Sequence, residues 1–305
     1  MLKGKAMSTQ SGNSGTRITI RDIQKLKDTH EPIPMLTAYD AMTARLAEAA
    51  DVPMLLVGDS LGMVVQGHDS TVKVRLEHML YHAEIVSRVT QRALIVGDLP
   101  FMSYKISPEQ AMANASRMMQ EGGAGAVKLE GGEALAWTIQ RIVSSGIPVM
   151  GHIGLTPQSV NQFGGFRVQG REISSARQLV RDALTLQDAG AFAIVLELVP
   201  APLATYITEL LQIPTIGIGA GGGTDGQVQV VHDLFALAGE FLPKHAKQYS
   251  DLGAALSAGL QEYVRQVKVR TFPEAIHGFA MRDEVMAELR SEMESTPYEG
   301  RLYTR

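Results

Sequence analysis

Short apolar runs alternate with longer segments of helical period along most of this chain, and that alternation restricts its fold more than any other feature. The runs are "PMLTAYD", "PMLLVGDS", "ALIVGDLP", "AGAVKLEGG", "IPVMGHIG", "FAIVLELVP" and "IPTIGIGAG". Several are introduced by a proline, which suits the first residue of a strand. Their unbroken apolar character marks strands buried on both faces, as in a parallel sheet.

The intervening segments read as helices with defined ends. "SPEQAMANASRMMQEGGA" carries Ser107 as N-cap, Pro108 in the first turn, Gln110 at the capping-box position and Gly122 as the stop. Its apolar stripe is Ala111, Met112, Ala115, Met118 and Met119. Leu76, Met79, Leu80, Ala83 and Val86 form a second stripe, and Leu179, Val180, Ala183 and Leu186 a third. The methionines read as core filler rather than sulfur ligands. With an eighth strand near "QVQVVHD", the repeated strand-then-helix unit predicts an α/β chain folded as a (β/α)8 TIM barrel, in preference to a doubly wound sheet.

A chain of 305 residues, 45% of them apolar, can bury a core of barrel size. Residues 1–16, polar and rich in Ser and Gly, are expected to form a flexible arm, residues 17–280 a single barrel domain, and residues 281–305 a helical extension. In that extension Val285, Met286, Leu289 and Met293 recur at helical spacing, a stripe expected to dock on its own barrel or a neighbouring subunit. The net charge is −4 with acids and bases interspersed, which gives no reason to expect nucleic acid or a membrane surface as partner. A small molecule is the natural ligand. Cysteine is absent, so disulfides, thiolate metal sites and a cysteine nucleophile are excluded, and a reducing cytoplasm is compatible. No apolar run reaches the roughly 18 residues of a membrane span.

In a barrel, residues at the C-terminal ends of the strands converge on one mouth. Asp59 and Asp98 each close an apolar run, Lys128 and Glu130 share one strand face by the period of two, and His152 and Glu197 stand near the ends of the next two strands. A single Asp after a strand is more often a turn former or helix cap. Four acids at one mouth are another matter, because Asp59, Asp98, Glu130 and Glu197 would repel one another unless a cation, a proton or a lysine compensates. Without a His-x-His or thiolate set, a hard cation such as Mg²⁺ is favoured over zinc. His152 fits a buried, hydrogen-bonded histidine and a substrate contact equally well. "GIGAGGGTDG" suits either phosphate binding through backbone N–H groups or a tight turn, and "GGFRVQGR" a mobile lid or a subunit contact.

The ordered set "MLTAYD", "LLVGDSLGMVVQGHDST", "GDLPFMSY", "AVKLEGG", "GHIGLTPQSVNQFGGFRVQGR", "VLELVP" and "IGIGAGGGTDGQVQVVHD" resembles the ketopantoate hydroxymethyltransferase family. The resemblance implies a barrel of the phosphoenolpyruvate/pyruvate type. It also implies Mg²⁺ and transfer of a one-carbon unit from 5,10-methylenetetrahydrofolate to 3-methyl-2-oxobutanoate through a stabilised enolate, giving 2-dehydropantoate for pantothenate biosynthesis. Carried over by position, Asp59 and Asp98 match direct metal ligands that also meet the substrate, and Glu130 a further acidic residue of the metal site. Ser60 and Lys128 match substrate-binding positions, His152 a histidine lining the pocket, and Glu197 the proton acceptor. The resemblance further implies a cytoplasmic homo-oligomer, a decamer of stacked pentamers. Ala38 and Leu198 stand where the family commonly has cysteine, and Gly97 where alanine is frequent; no charged group is lost.

Two other readings share these residues. A class II aldolase or lyase acting on a 2-oxo or 2-hydroxy acid would need the same metal site without folate. A non-catalytic barrel that binds an oxo acid would not need all five charged groups.

Overall fold

The structure, a computed structural model, describes residues 16–239 and 242–295. The expected N-terminal arm therefore lies, all but its last residue, outside the described residues. The chain divides into two compact units, one ending at Asp251 and the other beginning at Leu252.

The first unit is a closed barrel of eight strands in sequential order. They are β1 Ile33–Thr37, β2 Met54–Val57, β3 Leu94–Asp98, β4 Ala126–Glu130, β5 Val149–Gly154, β6 Ala193–Glu197, β7 Thr215–Ile218 and β8 Gly226–Gln229. Each pairs in parallel with its neighbours, and β8 closes on β1. All eight expected strands are present.

Period-two alternation divides the core into two layers. Met35, Met54, Leu56, Leu94, Val96, Ala126, Met150, Val195, Ile216 and Val228 fill the barrel interior. Ile23, on the helix Ile20–Asp28, packs with that same interior set. The alternate residues Leu55, Val57, Ile95, Val127, Leu129, Ile194 and Leu196 pack outward against the helices. There they meet Met79, Ala83 and Val86 of the helix Leu76–Val89, and Ala111, Ala115 and Met118 of the helix Pro108–Gln120. The three expected helical stripes thus face the outer layer, with Met112, Met119 and Val180 only partly covered.

Local signals hold with two adjustments. The Ser107 side chain accepts from the main-chain N–H of Gln110 at 3.2 Å, but the Gln110 Oε1 is buried without a partner, so only half of the expected capping box forms. Glu121 caps the helix, and the left-handed turn falls on Gly123 (φ +68°) rather than Gly122. No helix separates β7 from β8. The run "GIGAGGGTDG" returns directly, with Gly219 and Gly221 at positive φ, and Asp225 anchors it by accepting from Lys27 Nζ and the Thr215 main chain, both at 2.8 Å. A cleft of about 850 Å³ lies along this return and is lined by Lys27, Pro34, Gly221, Asp225, Gln227 and His245.

The second unit contains the helices Leu252–Lys268 and Asp283–Ser295. The first was expected within the barrel domain and belongs instead to this unit, because its sequence period carries no record of which core it joins. Within the unit, the Phe272 ring stands 5.8 Å from Tyr263 and 5.0 Å from His277, folding the turn back on that helix. Among the described residues no helix is long and apolar enough to cross a membrane.

Candidate active site at the barrel mouth

Strand parity delivers most of the charged groups. Since Leu94 and Val96 point inward, so does Asp98 two residues on; Ala126 sets the same parity for Lys128 and Glu130, Met150 for His152, and Val195 for Glu197. Register then makes them neighbours, because Asp98 stands opposite Lys128, Glu130 opposite His152, and Glu197 opposite Gly154. Asp59 lies just past the end of β2.

The contacts form one continuous chain. The main-chain N–H of Asp59 donates to Asp98 Oδ2 at 3.3 Å, and Asp98 Oδ1 pairs with the ammonium of Lys128. Lys128 Nζ also lies 4.0 Å from Glu130 Oε1. His152 sits between two acids, Nδ1 3.5 Å from Glu130 Oε1 and Nε2 3.2 Å from Glu197 Oε2. Neither ring nitrogen has good hydrogen-bond geometry, so these are charge pairings rather than directed bonds. Asp59, Asp98, Lys128, Glu130 and His152 are all buried, whereas the Glu197 side chain, 13% exposed, is the most open of the acids. The Ser60 Oγ lies 2.7 Å from the Tyr39 hydroxyl at the edge of the cluster. The structure thus brings every residue singled out from the sequence to one mouth.

Burial sets the electrostatics. The Asp59 carboxyl is pushed well above the ordinary range by desolvation and by the charges of Asp98 and Glu130. Asp98 is raised by burial, with Lys128 opposing. Burial would raise Glu130 too, but its close pairing with His152 and the charges of His152 and Lys128 outweigh that and hold Glu130 below its usual value. His152 is raised to about 9, because Glu130 and Glu197 overcome the opposing effects of desolvation and Lys128. Lys128 is raised because three carboxylates outweigh its burial.

This donor set suits a divalent cation. Four carboxyl groups stand against one lysine and one histidine, so acidic groups are in excess and the donors on offer are oxygens. Among the described residues no three His, Asp or Glu side chains are arranged to enclose an ion by themselves. Two adjoining carboxylates suit an ion that fills the rest of its shell with water and substrate oxygens, as Mg²⁺ does.

Backbone geometry protects the arrangement. A Cβ on Gly58 would come within 3.0 Å of Ser60 Oγ and 3.5 Å of Asp98 Oδ2, crowding the space between the aspartates. Gly154 has φ +92°, and a Cβ there would collide with the carbonyl oxygen of Glu197, which accepts from the Leu155 N–H at 2.8 Å. Leu198, directly after Glu197, is held at φ +45°, a strained conformation for a leucine. Its carbonyl accepts from the Gln169 N–H at 2.9 Å, which pins the "GGFRVQGR" loop beside Glu197.

Sequence reasoning missed four residues here: Tyr39, Tyr104, Gln158 and Leu198. Tyr39, Gln158 and Leu198 each follow closely on a strand end, the one signal that marked them. Tyr104 carried none.

The profile of one protein family, described as ketopantoate hydroxymethyltransferase, matches residues 17–275. The chain belongs to the ketopantoate hydroxymethyltransferase family. It is accordingly an enzyme, a hydroxymethyltransferase. Relatives named 3-methyl-2-oxobutanoate hydroxymethyltransferase include one from Chloroflexus aggregans, 58% identical over 92% of this chain and 100% of its own length. Another, from Dehalococcoides mccartyi, is 53% identical over 90% of this chain and 97% of its own. Among solved structures, a phosphonopyruvate hydrolase complex with oxalate and Mg²⁺ superposes with a TM-score of 0.58 at 11% identity, covering 91% of this chain and 98% of that one. A 2,3-dimethylmalate lyase of the PEP mutase/isocitrate lyase superfamily gives 0.54 at 18% identity, over 90% and 95%. These likenesses show a shared barrel fold.

Proposed function

We propose that this enzyme transfers a hydroxymethyl group from 5,10-methylenetetrahydrofolate to 3-methyl-2-oxobutanoate, forming 2-dehydropantoate for pantothenate biosynthesis. The observation that carries the reading is the buried chain Asp59, Asp98, Lys128, Glu130, His152 and Glu197 at one barrel mouth, in a member of this family. Asp59 and Asp98 would hold Mg²⁺ directly, with Glu130 behind them acting directly or through water. When bound, Mg²⁺ supplies a Lewis acid that polarises the 2-oxo group.

The chain's own groups do the rest. Lys128 and Ser60 bind the oxo acid, and Lys128 places a fixed positive charge where negative charge develops on the oxo group. Glu197 takes the proton from C3, since it is the acid most open to the mouth. His152, held cationic by its two carboxylate neighbours, orients Glu197 and lines the pocket. The new carbon–carbon bond joins C3 to the donor's methylene carbon, whose two bonds to folate nitrogens break; water supplies the hydroxyl oxygen, and tetrahydrofolate leaves with one proton from C3 and one from that water. The same reading takes the working protein as a cytoplasmic homo-oligomer, a decamer.

Incubation with the oxo acid and methylenetetrahydrofolate, alongside the oxo acid alone, tests this. Product formed only with the folate supports the transferase reading. Cleavage of a 2-oxo or 2-hydroxy acid without folate would favour a lyase, and binding without turnover a non-catalytic barrel.

A further inference from the structure

Gln158 stands on the turn Pro157–Ser159 after β5, is 2% exposed, and uses every polar group of its side chain. Its Nε2 donates to Asp59 Oδ2 at 2.8 Å and to the carbonyl of Leu99 at 3.0 Å. Because a carbonyl can only accept, the Leu99 contact fixes which end of the amide is nitrogen. The Oε1 accepts from the Tyr104 hydroxyl at 2.7 Å. Tyr104, fully buried, in turn accepts from the main-chain N–H of Glu130 at 3.1 Å. The main-chain N–H of Gln158 itself donates to Glu130 Oε2 at 3.0 Å.

One residue therefore holds one oxygen of each of two carboxylates that arrive on different strands. Both donors are neutral. A lysine or arginine in this place would neutralise the charge that draws a cation, whereas an amide and a peptide N–H fix the carboxylates and leave their charge in place. Of the Asp59 oxygens, Oδ2 is occupied by the amide, which leaves Oδ1 for another partner.

We infer that Gln158, braced by Tyr104, is a positioning residue that sets which oxygens of Asp59 and Glu130 face the bound cation. This rests on the metal reading given above. The sequence hid it because a glutamine in a polar loop follows no period.

The test is direct binding of Mn²⁺, in place of Mg²⁺, to the full chain without substrate, followed by electron paramagnetic resonance together with the melting temperature. Gln158→Leu keeps bulk and the main-chain N–H but releases Asp59. Its Mn²⁺ affinity is expected to fall at least about tenfold, the usual consequence of removing such a supporting partner. In that variant the Tyr104 hydroxyl keeps the Glu130 main chain as its partner. A stabilising osmolyte, trimethylamine N-oxide, separates folding from positioning: it should restore any lost melting temperature while affinity stays low, and saturating metal should recover most of the lost turnover. Affinity equal to that of the unaltered protein, or affinity that returns together with melting temperature in the osmolyte, would overturn the inference alone. Failure of the unaltered protein to bind Mn²⁺ would overturn the metal reading and this inference with it.

Discussion

His152 is held between two carboxylates on neighbouring strands, its Nε2 3.2 Å from Glu197 Oε2 and its Nδ1 3.5 Å from Glu130 Oε1. The register of β4, β5 and β6 sets this up: Glu130 stands opposite His152, and Glu197, two residues past the Val195 that faces His152, points inward as well. So placed, His152 is raised to about 9, which favours its protonated form at neutral pH.

The pH dependence follows in sign. His152 rises from an ordinary 6.5 to about 9 on folding, so its stabilising contribution is fully present below about pH 6.5 and is lost as pH climbs through 9. The chelator-treated protein should lose melting temperature across that window, and His152→Gln should flatten the slope there. An unchanged slope in the variant would place the titrating group elsewhere. Asp59 and Asp98, also raised, act in the same direction from about pH 3.8 upward.

Asp59→Asn should split activity from stability. The carboxyl that burial and repulsion hold above its usual range costs the metal-free fold once it ionises, so an amide relieves that cost at neutral pH and relieves less of it as pH falls. A gain of about 1 kcal/mol, or roughly 2–4 °C in melting temperature, is expected without metal. Turnover should fall at least about 100-fold, as on loss of a group that stabilises developing charge. Normal turnover in this variant would remove Asp59 from the reaction.

Gly154→Ala forces a Cβ into the carbonyl of Glu197 at a positive φ. A destabilisation of about 2 kcal/mol or more, read by chemical unfolding, is expected from strain and collision together. Because the collision falls on Glu197 itself, kcat should drop further than metal affinity does. A neutral effect on both would mean that β5 and β6 are not fixed at this register.

Removing residues 281–305 leaves every residue assigned to the site in place. Metal-dependent exchange of the C3 hydrogen should continue at close to its full rate, and any change should appear in particle mass by light scattering. Loss of exchange with mass unchanged would bring the tail into the active site.

The fold was legible where a run had to be apolar on both faces, which is why all eight strands were found, and parity carried that success into the site. Asp98, Lys128, Glu130, His152 and Glu197 each sit an even number of residues from an interior apolar side chain. What escaped lies off the strands. Gln158 and Tyr104 matter through hydrogen bonds whose partners are distant in sequence, and Leu198 through a backbone angle that no leucine advertises. The helix Leu252–Lys268 was not singled out from the sequence, and amphipathic period alone assigns no core to a helix.

Hydrogen exchange at C3 of 3-methyl-2-oxobutanoate in deuterated water, without folate, isolates the proposed proton transfer from carbon transfer. The unaltered enzyme with Mg²⁺ should exchange readily and should stop when the metal is chelated. Glu197→Gln, which keeps shape but cannot take a proton, should bind the oxo acid normally while exchange slows by at least about 100-fold. Exchange at the full rate in Glu197→Gln, or undiminished exchange after chelation, would contradict the account.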